Sequence, residues 1–191
     1  AALLRTAANV RANFVANGTA LEVHIKNETG HALPSGATAE RQMWLEITVK
    51  DPQGTTLFES GMLDAQGDLM DGNPEHSINP NGDPQLVKFG QDFLDVKEVP
   101  KNSEDYYQHV VAMPWQAVGI KNHLIDVEET KVLSYDLSNL SIPQGSTAQI
   151  KLKFRSFPMY FLRMLEERAD LDPAVKTRVP IVEMDKVLIS L

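Results

Sequence analysis

The sequence predicts an all-β fold: an immunoglobulin-like antiparallel β-sandwich with long loops and one short C-terminal helix. Eight or nine short segments alternate apolar and polar residues, which is typical of strands with one buried face. Glycine, proline, asparagine and aspartate punctuate the chain between them, and a helical pattern occurs only near the C-terminus. Such spacing favours a sandwich. We treat residues 1–191 as one domain, with residues 1–8 as a candidate remnant of an upstream segment.

The first half of the chain predicts two strand pairs joined by tight turns. Asn17-Gly18 favours the left-handed conformations that a short hairpin turn needs. Asp51-Pro52 begins a second turn signal, because proline fixes its own φ and aspartate bonds to nearby backbone. The predicted strands are residues 10–14, 21–25, 44–51 and 55–60, arranged as an antiparallel meander.

Residues 61–83 contain four glycines and two prolines and show little periodicity. A loop this long inside a compact domain is usually functional or flexible. Its aspartates Asp64, Asp68 and Asp71 offer the oxygen ligands that calcium prefers, but their spacing fails the EF-hand pattern. Solvated turn residues are the alternative interpretation.

The C-terminal half predicts the remaining strands and the helix. Ser156 is a candidate helix cap and Pro158 a candidate first helical residue. In the strand before them, Lys151, Lys153 and Arg155 alternate with apolar residues and are expected to face water. The predicted elements are strands at residues 85–89, 106–113, 131–137, 147–155 and 179–191 and a helix at residues 159–168.

Composition excludes several classes of function. The 191 residues include 18 basic and 26 acidic ones, and the net charge of -8 argues against nucleic-acid binding and against charge-driven docking on anionic membranes. There is no cysteine, so disulfides, thiolate metal sites, cysteine nucleophiles and covalently attached haem are excluded for this chain. No apolar run approaches the roughly 20 residues that span a bilayer, and the start lacks a signal-peptide pattern. Because numbering begins at an alanine, we interpret the chain as a processed or excised piece.

Residues 27–49 hold the most informative pattern. It consists of a strand end, a loop rich in glycine, proline and other residues that favour special backbone conformations, and a second strand. Glycines supply positive φ, and Pro34 restricts the residue before it, so the loop is expected to hold His31 in a set direction. The motif is Asn27-x-Thr29-Gly30-His31-x-x-Pro34-x-Gly36, followed by Arg41 and Trp44-Leu45.

This motif resembles the haem-free C-terminal β-domain of bacterial multihaem c-type cytochromes. The similarity continues through residues 58–61, 111–115 and 152–158. It implies a periplasmic or extracellular, cell-surface location, haem c in the parent protein or a partner, and a multihaem c-type cytochrome domain or subunit as that partner. It implies a role in electron transfer without enzymatic activity of the chain itself. The family's haem attachment, Cys-x-x-Cys-His, is absent here.

Five histidines are the main candidate ligands: His24, His31, His76, His109 and His123. No pair shows a metal-binding spacing such as His-x-His. One hypothesis is that His31 is a distal ligand to a haem iron on a neighbouring domain, or that it joins His76 around a metal ion. The alternative is a structural His31 that ties Thr29 and Gly36 together, since buried polar groups are normally hydrogen-bonded.

His24 and Trp44 are candidates for an interface. If their strands pair, both side chains lie on the outward face of the sheet, and an exposed tryptophan suggests a docking surface. The alternative is that the 61–83 loop or the C-terminal helix covers Trp44.

Three functions therefore remain open from the sequence. The first is a haem-free accessory or docking domain of a multihaem electron-transfer system. The second is a surface protein that binds copper, or another metal, through histidines. The third is an adhesive or structural sandwich without a cofactor. No motif of a hydrolase or a phosphate-binding enzyme is present.

Overall fold

A computed structural model describes residues 2–36, 40–72, 82–95, 109–111 and 114–191. The described chain consists mainly of β-strands, with one α-helix and four short 3-10 turns. The strands are β1 (Ala8–Val15), β2 (Ala20–Asn27), β3 (Gln42–Lys50), β4 (Thr56–Ser60), β5 (Lys88–Phe89), β6 (Gln91–Asp95), β7 (His109–Val111), β8 (Gly119–Asn122), β9 (Thr130–Asp136), β10 (Thr147–Arg155) and β11 (Val182–Ser190). The helix is α1 (Met159–Ala169), and the turns are Leu3–Thr6, Ala16–Gly18, Pro114–Gln116 and Pro173–Arg178.

Two antiparallel sheets form the sandwich, which confirms the predicted fold class. One sheet has the order β1-β2-β9, and the other has the order β11-β10-β3-β4, with β5 also paired to β3. In immunoglobulin lettering, β1, β2 and β9 correspond to strands A, B and E, and β11, β10, β3 and β4 correspond to strands G, F, C and C′. This is the immunoglobulin-like arrangement. The predicted meander is wrong, because β2 and β3 belong to different sheets. The 28–41 connection crosses between the sheets, so that the apolar faces of both strands meet in one core.

The core lies between the inward faces of the two sheets. Alternate residues of β2, β3 and β10 are fully buried there, and each large aliphatic side chain contributes roughly 1.5–3 kcal/mol relative to exposure. The fully buried members are Leu21, Val23, Ile25, Leu45, Ile47, Val49, Ala148, Ile150 and Leu152. The period-2 pattern identified these positions correctly.

The segment between β4 and β9 is a long insertion in the sandwich fold. Within it, β7-β6-β8 form a separate three-stranded sheet. The sequence did not predict β6 or β8, since both are short and alternate weakly. The strand predicted at residues 85–89 is confined to Lys88–Phe89, and most of the strand predicted at residues 106–113 lies outside the described residues.

The predicted helix is confirmed, but its N-terminus is capped by a residue distant in sequence. The N-cap position is Pro158, which makes no side-chain cap, and Ser156 does not fill this role. Instead Asp68 accepts a hydrogen bond from the Tyr160 backbone N–H at 2.8 Å and another from the Arg163 guanidinium. Asp68 is fully buried, so the interpretation as a solvated turn residue is wrong for it, and its two oxygens bond to Tyr160 and Arg163. Burial raises its pKa, although the bonds from Arg163 and Tyr160 act in the opposite direction.

Replacing Asp68 should therefore strongly destabilise the fold. Asp68→Ala leaves Arg163 without its partner and a helix N–H without its acceptor, which should lower the free energy of unfolding by about 3 kcal/mol. Asp68→Asn should cost less, because the amide oxygen still accepts one bond. Urea denaturation measures both, with the exposed helix residue in Glu167→Ala as the control. A loss for Asp68→Ala no larger than that of the control would contradict this cap.

Candidate functional site

The His31 loop lies at one end of the sandwich. The registers place Asn27 at the end of β2 opposite Ala8 at the start of β1, and Arg155 at the end of β10 opposite Gln42 at the start of β3. Because antiparallel neighbours begin and end together, the N-terminal turn, the β2–β3 loop and the connection after β10 meet at this edge. Loops gathered at one end of a sandwich are a common position for binding sites.

The side chain of Asn27 anchors the loop. It is fully buried, and its amide nitrogen lies 2.8 Å from the carbonyl oxygen of His31 and 3.0 Å from those of Ile125 and Asp126. Its oxygen accepts from the backbone N–H of Thr29 at 2.9 Å. The Thr29 hydroxyl lies 2.7 Å from both Asn27 Oδ1 and the His31 carbonyl oxygen. One buried amide therefore satisfies backbone groups from two separate loops.

A second attachment fixes the far side of the loop. Leu33 and Ile125 form an antiparallel bridge with two backbone hydrogen bonds of 2.9 Å, and both side chains are buried. His31 thus lies between the Asn27 anchor and this bridge. These two attachments hold the part of the loop that carries His31, and the rigidity of the loop stays a prediction.

The His31 side chain is exposed, and one of its ring nitrogens faces its own loop. Nδ1 lies 3.2 Å from the Ala32 carbonyl oxygen and 3.2 Å from the Thr29 hydroxyl. Since a carbonyl oxygen can only accept, this contact favours the tautomer that carries its proton on Nδ1. In that tautomer the Nε2 lone pair is available as a metal ligand, and no hydrogen bond to Nε2 is found within the described residues. The structural alternative is confirmed for Thr29, which His31 contacts, but no hydrogen bond between His31 and Gly36 is found in the part of the chain that the structure describes, and the side chain is exposed.

His31 borders an open groove with a cavity volume of about 520 Å³. Its described wall mixes apolar and polar residues, and the polar ones are Thr6, Glu28, Thr29, His31, Ser35, Arg41 and Ser156. This volume falls within the range of ligand pockets in proteins, roughly 300–1,000 Å³. The apolar wall comprises Leu3, Leu4, Leu33, Met43, Phe154 and Met184, among others.

Arg41 lies in the wall of this groove between two neighbours. Its Cζ is 5.8 Å from the centroid of the Phe154 ring, and a Cβ built on Gly36 would approach its Nε and Nη2 to 3.2 Å. Its Nε is buried and makes no hydrogen bond. The sequence motif included Arg41 and Gly36, but sequence reasoning assigned no chemistry to the arginine.

Trp44 is fully buried, so its proposed place on an exposed interface is wrong. Its Nε1 donates to the Gly61 carbonyl oxygen at 3.1 Å, and the Cζ of Arg155 lies 5.6 Å from its ring centroid. Gly61 has φ +73°, and a Cβ there would come within 1.9 Å of the Leu45 carbonyl oxygen. The insertion after β4 thus packs closely over the outward face of β3, as the alternative interpretation stated. Arg155, expected to face water, is buried by the same contact.

His24 does not share a surface with Trp44. It lies on the outward face of β2, whose neighbours are β1 and β9, whereas Trp44 belongs to the opposite sheet. Its side chain is half-buried, and Nε2 lies 2.7 Å from Glu22 Oε1. The tryptophan that is exposed is Trp115, at 78%.

The described residues give no support to a metal centre of this chain's own. Within them, no three histidine, aspartate or glutamate side chains are grouped to hold an ion. His76 lies outside the described residues, so its pairing with His31 stays a prediction. No described helix combines the length and the apolar character needed to cross a bilayer.

His123 belongs to a small polar pocket that sequence reasoning did not identify. Its Nε2 lies 3.9 Å from Asp92, and Lys88 lies between Asp92 at 3.0 Å and Asp71 at 3.6 Å. Burial lowers the pKa of His123, although Asp92 acts to raise it. The cavity of about 30 Å³ has room for only a water molecule or two. We therefore interpret this cluster as structural.

One solved structure has a similar fold. It is described as a penta-heme cytochrome c552 from Thermochromatium tepidum, and the comparison gives a TM-score of 0.61 and 18% sequence identity. The similarity covers 100% of this chain and 41% of that chain, so this chain spans less than half of the cytochrome. No protein-family model and no curated protein sequence matches this chain. At this identity the likeness shows the fold alone.

The two tryptophans should differ in fluorescence. In Trp115→Phe, the remaining Trp44 should emit at short wavelength and resist quenching by acrylamide, because it is sealed beneath the insertion. In Trp44→Phe, the remaining Trp115 should emit at longer wavelength and be quenched readily. Equal quenching of the two variants would contradict the burial of Trp44.

Loss of the Asn27 anchor should loosen the site and the fold together. Asn27→Ala removes the partner of buried carbonyls and of the Thr29 N–H, and should lower the free energy of unfolding by about 3 kcal/mol. Urea denaturation measures this loss, and hydrogen exchange should show faster exchange at the Thr29 amide. Asn13→Ala, at an exposed position of β1, is the matched control. Equal stability of the two variants would show that the anchor is not needed.

Proposed function

We propose that this chain is a haem-free docking domain or subunit of a multihaem cytochrome electron-transfer system. It presents the Nε2 atom of His31 to the distal side of a haem carried by its partner. The observation that carries the proposal is the exposed imidazole at the groove, whose Nδ1 lies 3.2 Å from the Ala32 carbonyl oxygen. A histidine that binds a metal through one ring nitrogen usually donates a hydrogen bond from the other ring N–H to such an acceptor. This bond sets the tautomer and the ring plane.

The groove fits the edge of a haem in three respects. It combines a nitrogen ligand, apolar wall residues and a cation that forms no ion pair within the described residues. A histidine is an accepted axial ligand of haem iron, and its surroundings tune the reduction potential. Bound haem would supply the one-electron chemistry, while His31 would ligate and the apolar walls would exclude water.

The absence of cysteine and the structural comparison support the proposal that a partner attaches the haem while this chain positions and ligates it. This chain cannot form thioether bonds to haem c, so any c-type haem must be attached elsewhere. The similar structure is a penta-heme cytochrome in which the matching part spans 41% of the chain. These facts favour a multihaem c-type cytochrome domain or subunit as the partner and a periplasmic or extracellular location. The role we propose for this chain is positioning and ligation without catalysis.

A haem c peptide with one proximal histidine and an open distal position is a direct probe. Wild-type protein should shift the Soret band of the peptide toward a six-coordinate, low-spin spectrum, because imidazole nitrogen fills the open position. His31→Ala should abolish this shift while circular dichroism shows an unchanged fold.

His24→Ala is the matched control, because it removes a half-buried histidine from the outer face of β2. This variant should bind the haem peptide like the wild type. An unshifted spectrum with wild-type protein, or the same shift with His31→Ala, would overturn the proposed ligation.

A further inference from the structure

We propose that Arg41 is an anion-binding residue of the groove and that it pairs with a propionate carboxylate of the haem that His31 faces. This inference rests on the proposed function and deepens it. It gives the groove a second point of recognition beside the iron, and it assigns a role to an arginine that sequence reasoning left without one.

Arg41 is held in place before any ligand binds. The guanidinium is packed between the Gly36 backbone and the ring of Phe154, whose centroid is 5.8 Å away. Gly36 has φ +83° and no side chain, and this leaves the space that the guanidinium occupies. A planar cation fixed in this way suits a carboxylate, because it loses little further entropy when the hydrogen bonds form.

The charge of Arg41 lacks a partner within the described residues. Other half-buried cations form ion pairs, including Arg163 with Asp68 and Lys176 with Glu166. No described acidic side chain forms an ion pair with Arg41, and its buried Nε has no hydrogen-bond acceptor. The guanidinium lines the groove and no ion pair to a described acidic side chain neutralises it, so a carboxylate bound in the groove would supply the missing counter-charge.

The remaining charges of the groove do not oppose an anion. Among the described lining residues the one carboxylate is Glu28, which is paired with Lys26 at 3.1 Å. The apolar wall reduces the local dielectric constant and strengthens a pair between Arg41 and a bound carboxylate. A ligand that has a metal for His31, a flat apolar body and a carboxylate matches this combination, and a haem group has all three.

Haem peptide with free propionates and the same peptide with both propionates esterified provide the test. Wild-type protein should bind the free-acid peptide at least about tenfold more tightly than the ester, since a charge-assisted hydrogen bond contributes roughly 1.5–3 kcal/mol. Arg41→Gln should weaken binding of the free acid by a similar factor and leave binding of the ester unchanged. Arg41→Lys should restore part of the loss. Isothermal titration calorimetry measures each dissociation constant, and the Soret band reports separately whether the iron is ligated.

Arg11→Gln is the control, because it removes the same charge from an exposed position on β1. It should leave both peptides bound as in the wild type. Equal affinity of wild-type protein for the acid and the ester would overturn the inference without any substitution, so misfolding of a variant cannot obscure it. Equal loss of acid and ester binding in Arg41→Gln would assign Arg41 a structural role only.

The two proposals fail in different ways. His31→Ala could abolish the low-spin shift while the free-acid and esterified haem peptides bind equally. That result would support ligation by His31 and contradict the role of Arg41. If the shift is absent with every protein, the proposed ligation falls. Acid-selective binding without the shift would leave Arg41 as an anion site that acts independently of iron.

Discussion

The geometry of this molecule depends on one buried amide, the side chain of Asn27. It lies where β2 ends and the chain must cross to the other sheet, and a crossing of this kind exposes backbone groups that no strand can pair. Asn27 offers donors and an acceptor in one small group, and it meets carbonyls of the 28–41 loop and of residues 125–126. Burial makes these bonds obligatory, since an unpaired group there would cost about 1–3 kcal/mol. The direction of His31 follows from this constraint.

A second constraint is that β3 is buried on both faces near its start. Its inward residues join the sandwich core, while Trp44 on the other face is covered by the insertion. Arg155 and Asp68 lie in the same layer, where Asp68 also caps α1. The insertion is therefore part of the packing of the sandwich, and it holds the helix near the end that carries the groove.

The proposed role follows from what the chain provides and what it lacks. It provides an imidazole nitrogen, an apolar groove and a fixed cation, but no cysteine with which to attach haem c. An exposed imidazole and a sequence without cysteine are consistent with the proposal that a partner attaches the haem.

The sequence by itself determined the fold class, most strand positions and the core, because period-2 alternation and turn residues act locally. It could not determine which strands pair, since the crossing from β2 to β3 depends on two apolar faces meeting in space. The same limit explains Trp44 and Arg155: alternation shows which residues point outward, but only the tertiary structure decided that the insertion covers that face. Asp68 as a helix cap and the packing of Arg41 against Phe154 arise from contacts between distant segments, which no local pattern records.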